Sequence, residues 1–205
     1  MIVCCVKVGD PFGPEYVNRL AAMVARHATR PHRFLCLTDD PAGVACDTSP
    51  IGTDLPGWWA KLVLFQPHPA LAGERVLYLD LDTVLVGNID SLLDYRGDFA
   101  ILRDFYRPTG YGSAVMAFEA GWGRTIWEQF QRDPAFVMRM LHGDQEWIET
   151  VVEEADRWQA LCPGLIGSYK ADGLSHGPKG FHAVCFHGWP KPHDVDGWVT
   201  EAWRE

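Results

Sequence analysis

The sequence predicts an α/β domain built on a largely parallel β-sheet, and three features point there. A strand, a turn and an amphipathic helix open the chain and lead into a second strand, so the start reads as β-α-β. Apolar strand runs then alternate with segments at helical spacing. A third strand ends directly on two aspartates, where ligands gather in open α/β sheets.

Residues 2–8 are apolar except for Lys7 and read as a buried strand. Gly9-Asp10-Pro11-Phe12-Gly13-Pro14 is a turn by its glycines and prolines. Between Glu15 and His27, Val17, Leu20, Ala21 and Val24 recur at helical spacing, and Arg33–Thr38 is the second strand. Residues 41–57, rich in Pro, Gly, Asp and Thr, are expected to be loop, and Trp58–Phe65 carries a helix-compatible pattern. Arg75–Leu79 is a strongly apolar strand, followed by a short one at Val84–Val86. Phe99–Leu102 and Ser113–Phe118 read as strands, Gly121–Arg132 and Asp144–Trp158 as helices, and Ala183–Phe186 as a last strand ending at His187. With no repeat, low-complexity tract or linker, residues 1–205 read as one domain.

The 205 residues carry a formal net charge of -9, which argues against a nucleic-acid partner, since such proteins present a basic face. An acidic protein can still hold a diphosphate if a divalent metal supplies the positive charge. No apolar run is long enough for a membrane span, and the N-terminus lacks the basic start of a signal peptide. The six cysteines include no CxxC pair; they read as reduced core residues of a cytoplasmic protein rather than a zinc site.

Asp80 and Asp82 need a reason to be where they are. Burying unpaired charge is costly, and two neighbouring carboxylates raise each other's pKa. On a strand, positions 80 and 82 point to the same face. A divalent cation relieves both problems, because hard cations take carboxylate oxygens. The bland alternative is a strand end whose acids cap a turn.

Several further segments stand in a recognisable order: the Gly9-Asp10 loop, Lys61-Leu62-Val63-Leu64-Phe65, and Val76–Val86 running on to Asn88-Ile89-Asp90-Ser91-Leu92. They continue with Gly112-Ser113-Ala114-Val115-Met116, Gly143-Asp144-Gln145-Glu146 and Phe186-His187-Gly188-Trp189-Pro190-Lys191-Pro192. Together, over roughly residues 2–192, they resemble the retaining glycosyltransferases of family eight, the glycogenin-like and bacterial galactosyltransferase-like group. The resemblance implies a GT-A type fold, a central mostly parallel mixed sheet flanked by helices, with a metal-holding Asp-x-Asp. It implies Asp80, Asp82 and His187 as metal ligands, with Mn2+ (or Mg2+) as cofactor; a His beside two carboxylates suits manganese better than calcium. By the same resemblance Asp10, Lys61, Asp80, Gly188 and Lys191 would bind the donor, a UDP-sugar, and Asp144 and Gln145 would line the reacting face of the sugar. The acceptor stays open: a saccharide, a lipid-linked sugar, a protein or a small metabolite.

The chain departs from that pattern in three places. Gly112-Ser113-Ala114 replaces Asn-Ala-Gly or Asn-Ser-Gly, Asp144-Gln145-Glu146 replaces Asp-Gln-Asp, and Lys191 stands four rather than six residues after His187. Two other functions fit parts of the sequence. A haloacid-dehalogenase-type phosphatase would use Asp80 as nucleophile, although its motif normally opens the fold. A non-catalytic nucleotide-sugar-binding module would keep the site without turnover. Trp58, Trp59 and Trp189 lie near the expected site as candidate stacking platforms, whereas His142, His176, His182 and His193 read as surface or loop residues.

Overall fold

The computed structural model describes residues 1–205. A seven-stranded sheet organises it, in the order β3-β2-β1-β4-β7-β6-β8. The strands are β1 (Ile2–Lys7), β2 (Arg33–Thr38), β3 (Asp47–Pro50), β4 (Arg75–Leu79), β6 (Phe99–Arg103), β7 (Tyr111–Glu119) and β8 (Asp156–Arg157). Four neighbouring strands, β3 to β4 through β2 and β1, are parallel, and β7 is antiparallel to both β4 and β6. A small second sheet joins β5 (Thr83–Leu85), β10 (Ala183–Cys185) and β9 (Ile166–Ser168) in the order β5-β10-β9.

Both faces of the large sheet are covered, which is why its central strands are apolar at successive positions. On β1, Val3 and Cys5 join one buried cluster, while Ile2, Cys4 and Val6 join the other. The first face packs against α1 (Pro14–His27) through Val17, Leu20 and Val24, as the helical spacing predicts. The second packs against the 3₁₀ segment Gly57–Phe65, α3 (Arg124–Phe130) and α5 (Asp144–Val151); the short helices α2 (Asp90–Leu93) and α4 (Pro134–Met140) precede α3 and α5 in the chain.

Four expectations change in the fold. Residues 47–50, expected as loop, form the edge strand β3; Asp47-Thr48-Ser49-Pro50 is polar because an edge is wetted, and Pro50 is tolerated there. Trp58–Phe65 is 3₁₀ rather than α-helical, with Trp59–Phe65 all buried. The helix expected over Asp144–Trp158 stops at Val151, and the chain turns into β8 and a short helix at Trp158–Leu161. Trp158 draws the chain inward: it is buried, packs edge-on against Tyr95 with centroids 5.3 Å apart, and donates its indole N–H to the Val115 carbonyl at 3.2 Å. Finally, Asp80–Asp82 is not strand but a tight turn, closed by the Thr83 N–H donating to the Asp80 carbonyl at 3.0 Å.

No helix is long and apolar enough to cross a membrane. All six cysteines are free thiols, four of them buried.

Candidate functional site

Strands β4 and β6 both run antiparallel to β7, so they point the same way, and β1 is parallel to β4. Their carboxyl ends and the start of β7 therefore open on one edge of the sheet. A cavity of about 680 Å³ lies there, within the range of small-ligand sites. Pro11 and Phe12 after β1, Asp80–Asp82 after β4, Asp104–Tyr106 after β6 and Gly112–Ala114 at the start of β7 line it. Trp58 and Lys61 on the 3₁₀ segment, His142–Glu146 at the start of α5, and the loop carrying His187–Trp189 and Lys191 complete the wall.

Asp80 and Asp82 sit at the floor, each held by an ammonium group. Lys61 Nζ lies 3.2 Å from Asp80 Oδ1, 2.9 Å from Ser113 Oγ and 3.4 Å from Asp144 Oδ2. Tyr78 donates its hydroxyl to Asp80 Oδ1 at 2.6 Å. The 3₁₀ segment presents the Lys61 stem to the core and its tip to the acids. Burial pushes the Lys61 ammonium toward neutrality, but the charges of Asp144 and Asp80 outweigh it and hold its pKa above the ordinary value. Lys191 pairs with Asp82 and also donates to the Phe186 carbonyl at 3.2 Å. Asp82 is pushed up to about 6, by burial first and then by the charge of Asp80, against the pull of Lys191.

Strand β10 delivers His187 to the cavity. Its Nε2 lies 2.7 Å from Ser168 Oγ, and its ring stacks on Phe105 at 5.4 Å and 11°. Burial and then the charge of Lys170 hold its pKa below the ordinary value, which keeps the imidazole neutral. Gly188 follows with φ of +66°, a conformation L side chains rarely adopt, and a Cβ there would lie 3.0 Å from Lys170 Nζ. The turn after Gly188 brings Lys191 back over the floor, and Lys191 N donates to Asp194 Oδ2 at 2.7 Å.

Asp144 opens α5 but caps nothing; its side chain points down beside Lys61 and is buried. Its Oδ2 makes no hydrogen bond, and burial raises its pKa against the opposing charge of Lys61. Gln145 also faces the cavity, held by Nε2 donating to Asp104 Oδ2 at 3.2 Å.

Nine of the sequence-predicted positions sort as follows. Lys61, Asp80, Asp82, Asp144, Gln145, His187, Gly188 and Lys191 all line this cavity. Asp10 does not: it is exposed on the β1–α1 loop, whose positive-φ Gly9 turns Pro11 and Phe12 toward the cavity instead. Trp58 and Trp189 lie at the rim, whereas Trp59 is core, stacked on Phe130 at 5.7 Å. His142, expected to be a surface residue, is both exposed and part of the rim. Sequence reasoning passed over Tyr78, Asp104 and Tyr106; the signal for Asp104 is the one that marked Asp80, a carboxylate directly after a buried strand.

The three expected metal ligands share the cavity without forming a ready-made cluster, since nowhere do three His, Cys, Asp or Glu side chains converge at metal-binding separation. The reason is local: Lys61 and Lys191 already neutralise the aspartates, and Ser168 engages His187. The donor set nevertheless suits a hard divalent cation. Two carboxylates and a neutral imidazole face one space, Asp82 is raised by burial and then by its neighbour's charge, and buried Asp144 Oδ2 accepts no hydrogen bond and has only its ion pair with Lys61.

No protein-family model matches this chain, and no curated protein matches it in sequence. Solved structures match in shape. The glycosyltransferase GlyE of Streptococcus pneumoniae TIGR4 gives a TM-score of 0.70 at 16% identity, covering 98% of this chain and 58% of its own. An active-site mutant of LgtC gives 0.68 at 13% identity over 98% and 95%. The galactosyltransferase LgtC in complex with donor and acceptor sugar analogs gives 0.58 at 16% identity over the same shares. The chain thus spans less than two thirds of GlyE but nearly all of LgtC. At such identities the shared feature is the fold, an α/β GT-A type with a mostly parallel mixed sheet flanked by helices.

Proposed function

We propose that this chain is a metal-dependent, retaining glycosyltransferase that takes a sugar from a nucleoside-diphosphate sugar, with a uracil nucleotide as donor. The observation that carries the reading is the convergence of Asp80, Asp82, Lys61, Lys191 and His187 on one cavity at the carboxyl edge of the sheet. The fold shared with GlyE and LgtC supports it.

Asp80, Asp82 and His187 would hold the metal, with Mn2+ favoured over Mg2+ by the imidazole nitrogen. A bound divalent cation supplies Lewis-acid stabilisation of charge on a departing diphosphate. The chain's own residues account for the rest. Lys191 exchanges Asp82 for the diphosphate, adding fixed positive charge where negative charge grows. The peptide at Gly188, left bare by the missing side chain, approaches the same phosphates. Lys61 fixes Asp80 and Asp144 on the donor-sugar side. Gln145, anchored by Asp104, stands at the reacting face. An amide is a poor nucleophile, so the acceptor hydroxyl attacks on the face the diphosphate leaves.

A phosphatase using Asp80 as nucleophile is disfavoured, because its motif opens the fold, whereas here β1, α1 and β2 precede the strand that carries Asp80. The test is a thermal-shift screen of nucleoside diphosphates and their sugars with and without Mn2+, since a ligand that binds only the folded state raises Tm. Asp82→Ala should abolish both metal-dependent stabilisation by UDP and sugar transfer. Transfer at the wild-type rate in that variant removes the assignment.

A further inference from the structure

Most of the cavity wall is buried or half-buried, but its rim is not. Trp58, Tyr106 and Trp189 are 59%, 63% and 70% exposed. They are half of the chain's six large exposed hydrophobic side chains, and all three lie on this one rim. Such clustering departs from scattered surface hydrophobics, which need no explanation. They come from three separate segments: the start of the 3₁₀ run, the loop after β6 and the turn after β10.

Each ring has a neighbour on one side and stays more than half exposed. The Trp58 indole N–H donates to the His142 carbonyl at 2.9 Å. Gly143 carries no side chain beneath that ring; a Cβ there would lie 3.0 Å from the indole nitrogen. Tyr106 stands edge-on to His187 at 5.4 Å and 79°, and its backbone N–H donates to Asp104 Oδ1 at 2.8 Å. Trp189 stands edge-on to His193 at 6.4 Å and 83°. Rings held in this way lose little conformational entropy when a ligand arrives.

The same cavity is lined by polar groups suited to hydroxyls: the Gln145 amide and the Glu146 and Asp104 carboxylates. An acyl chain needs contiguous apolar surface, and carboxylates interrupt this one. An extended peptide is gripped at a strand edge, and the edge strands β3 and β8 contribute nothing to this rim. A pyranose needs a flat C–H face to cover a ring and hydrogen-bond partners around its perimeter, and the rim offers both.

We propose that Trp58, Tyr106 and Trp189 form a saccharide-binding subsite, so that the acceptor is a sugar hydroxyl presented over the donor. This rests on the glycosyltransferase reading above. In the transfer, the acceptor oxygen bonds to the anomeric carbon, the anomeric carbon–phosphate oxygen bond breaks, and the acceptor's proton leaves with the nucleoside diphosphate.

The test measures saccharide binding directly, with lactose, cellobiose, maltose and N-acetyllactosamine as probes and octanol and a Ser/Thr-rich peptide as rivals. Saturation-transfer NMR is run on the full chain, with and without UDP and Mg2+. At least one disaccharide should bind the wild type. Trp58→Ala and Trp189→Ala should each weaken that binding about tenfold, the loss expected of a stacked anchor, with Trp58→Phe weakening it less. Both positions are exposed, so an unchanged Tm separates lost binding from lost folding. Disaccharide binding with the same Kd in wild type and both alanine variants overturns the proposal. So does a wild type that binds octanol or the peptide and no disaccharide. UDP that fails to raise the wild-type Tm, with disaccharide binding intact, overturns the donor reading and leaves the sugar-binding rim standing.

Discussion

Lys61→Met is the most informative single change in the floor of the site. Methionine keeps the stem's volume and removes the charge. The Lys61 ammonium lies 3.2 Å from Asp80 and 3.4 Å from Asp144, which is itself buried. At an effective dielectric of about 20, a charge pair at that separation is worth about 5 kcal/mol gross, and desolvation of the ammonium takes back much of it. Removing one partner of a buried pair costs about 3–5 kcal/mol, because the other is left uncompensated. For a chain of this size that lowers Tm by about 6–20 °C. The loss is pH-dependent with a definite sign. Burial already holds the Asp144 pKa above its ordinary value, and Lys61 opposes it. Without Lys61 the folded-state pKa rises further, so the folded variant binds a proton that the unfolded chain releases at about pH 4. The variant is therefore least destabilised in acid, and its deficit grows as pH rises through that folded pKa. Thermal denaturation of both proteins in chelator, from about pH 5.5 to about pH 8.5, checks this. A Tm within about 2 °C of wild type across the range would refute the idea that Lys61 is the counter-ion of these acids.

Lys191→Met should move two affinities in opposite directions: Mn2+ binding without nucleotide tightens, because Asp82 no longer holds an ammonium, and UDP binding weakens. Manganese EPR and UDP calorimetry check it, and no change in either ends the exchange role given to Lys191. Gly188→Ala forces a side chain into φ of +66°, which costs about 1–2 kcal/mol and about 2–8 °C in Tm, with a matching loss of UDP affinity. Away from the site, Asp90 accepts hydrogen bonds from the Thr29 hydroxyl, Asn88 and the Thr29 N–H, and these hold its pKa below the ordinary value. Its contribution is present above about pH 4 and is lost as pH falls through the folded pKa, so Asp90→Asn should destabilise at neutral pH and converge with wild type in strong acid.

The α/β class, the order of the central strands' sequence segments and the position of Asp80 and Asp82 after a buried strand were all legible in local pattern. Runs such as Val76–Leu79 are apolar at every position because helices cover both faces, and that burial writes itself into consecutive residues. The polar edge strand β3 left no such mark, since its pairing with β2 needs backbone hydrogen bonds and almost no side-chain burial. Nor did the break after Val151, where a distant core pocket claims Trp158.

By itself, then, the sequence determined which residue types were available to a site and which of them ended strands. Only the tertiary structure decided their partners. Asp82 and Lys191 are 109 positions apart, and Lys61 and Asp144 meet only because a 3₁₀ segment and a helix N-terminus pack on the same face. Charge pairing acts through space over a few ångströms, whereas sequence pattern reports burial along a single element. Asp10 shows the difference: it stands in the expected loop, yet the backbone at Gly9 turns its neighbours, and not Asp10, toward the ligand space.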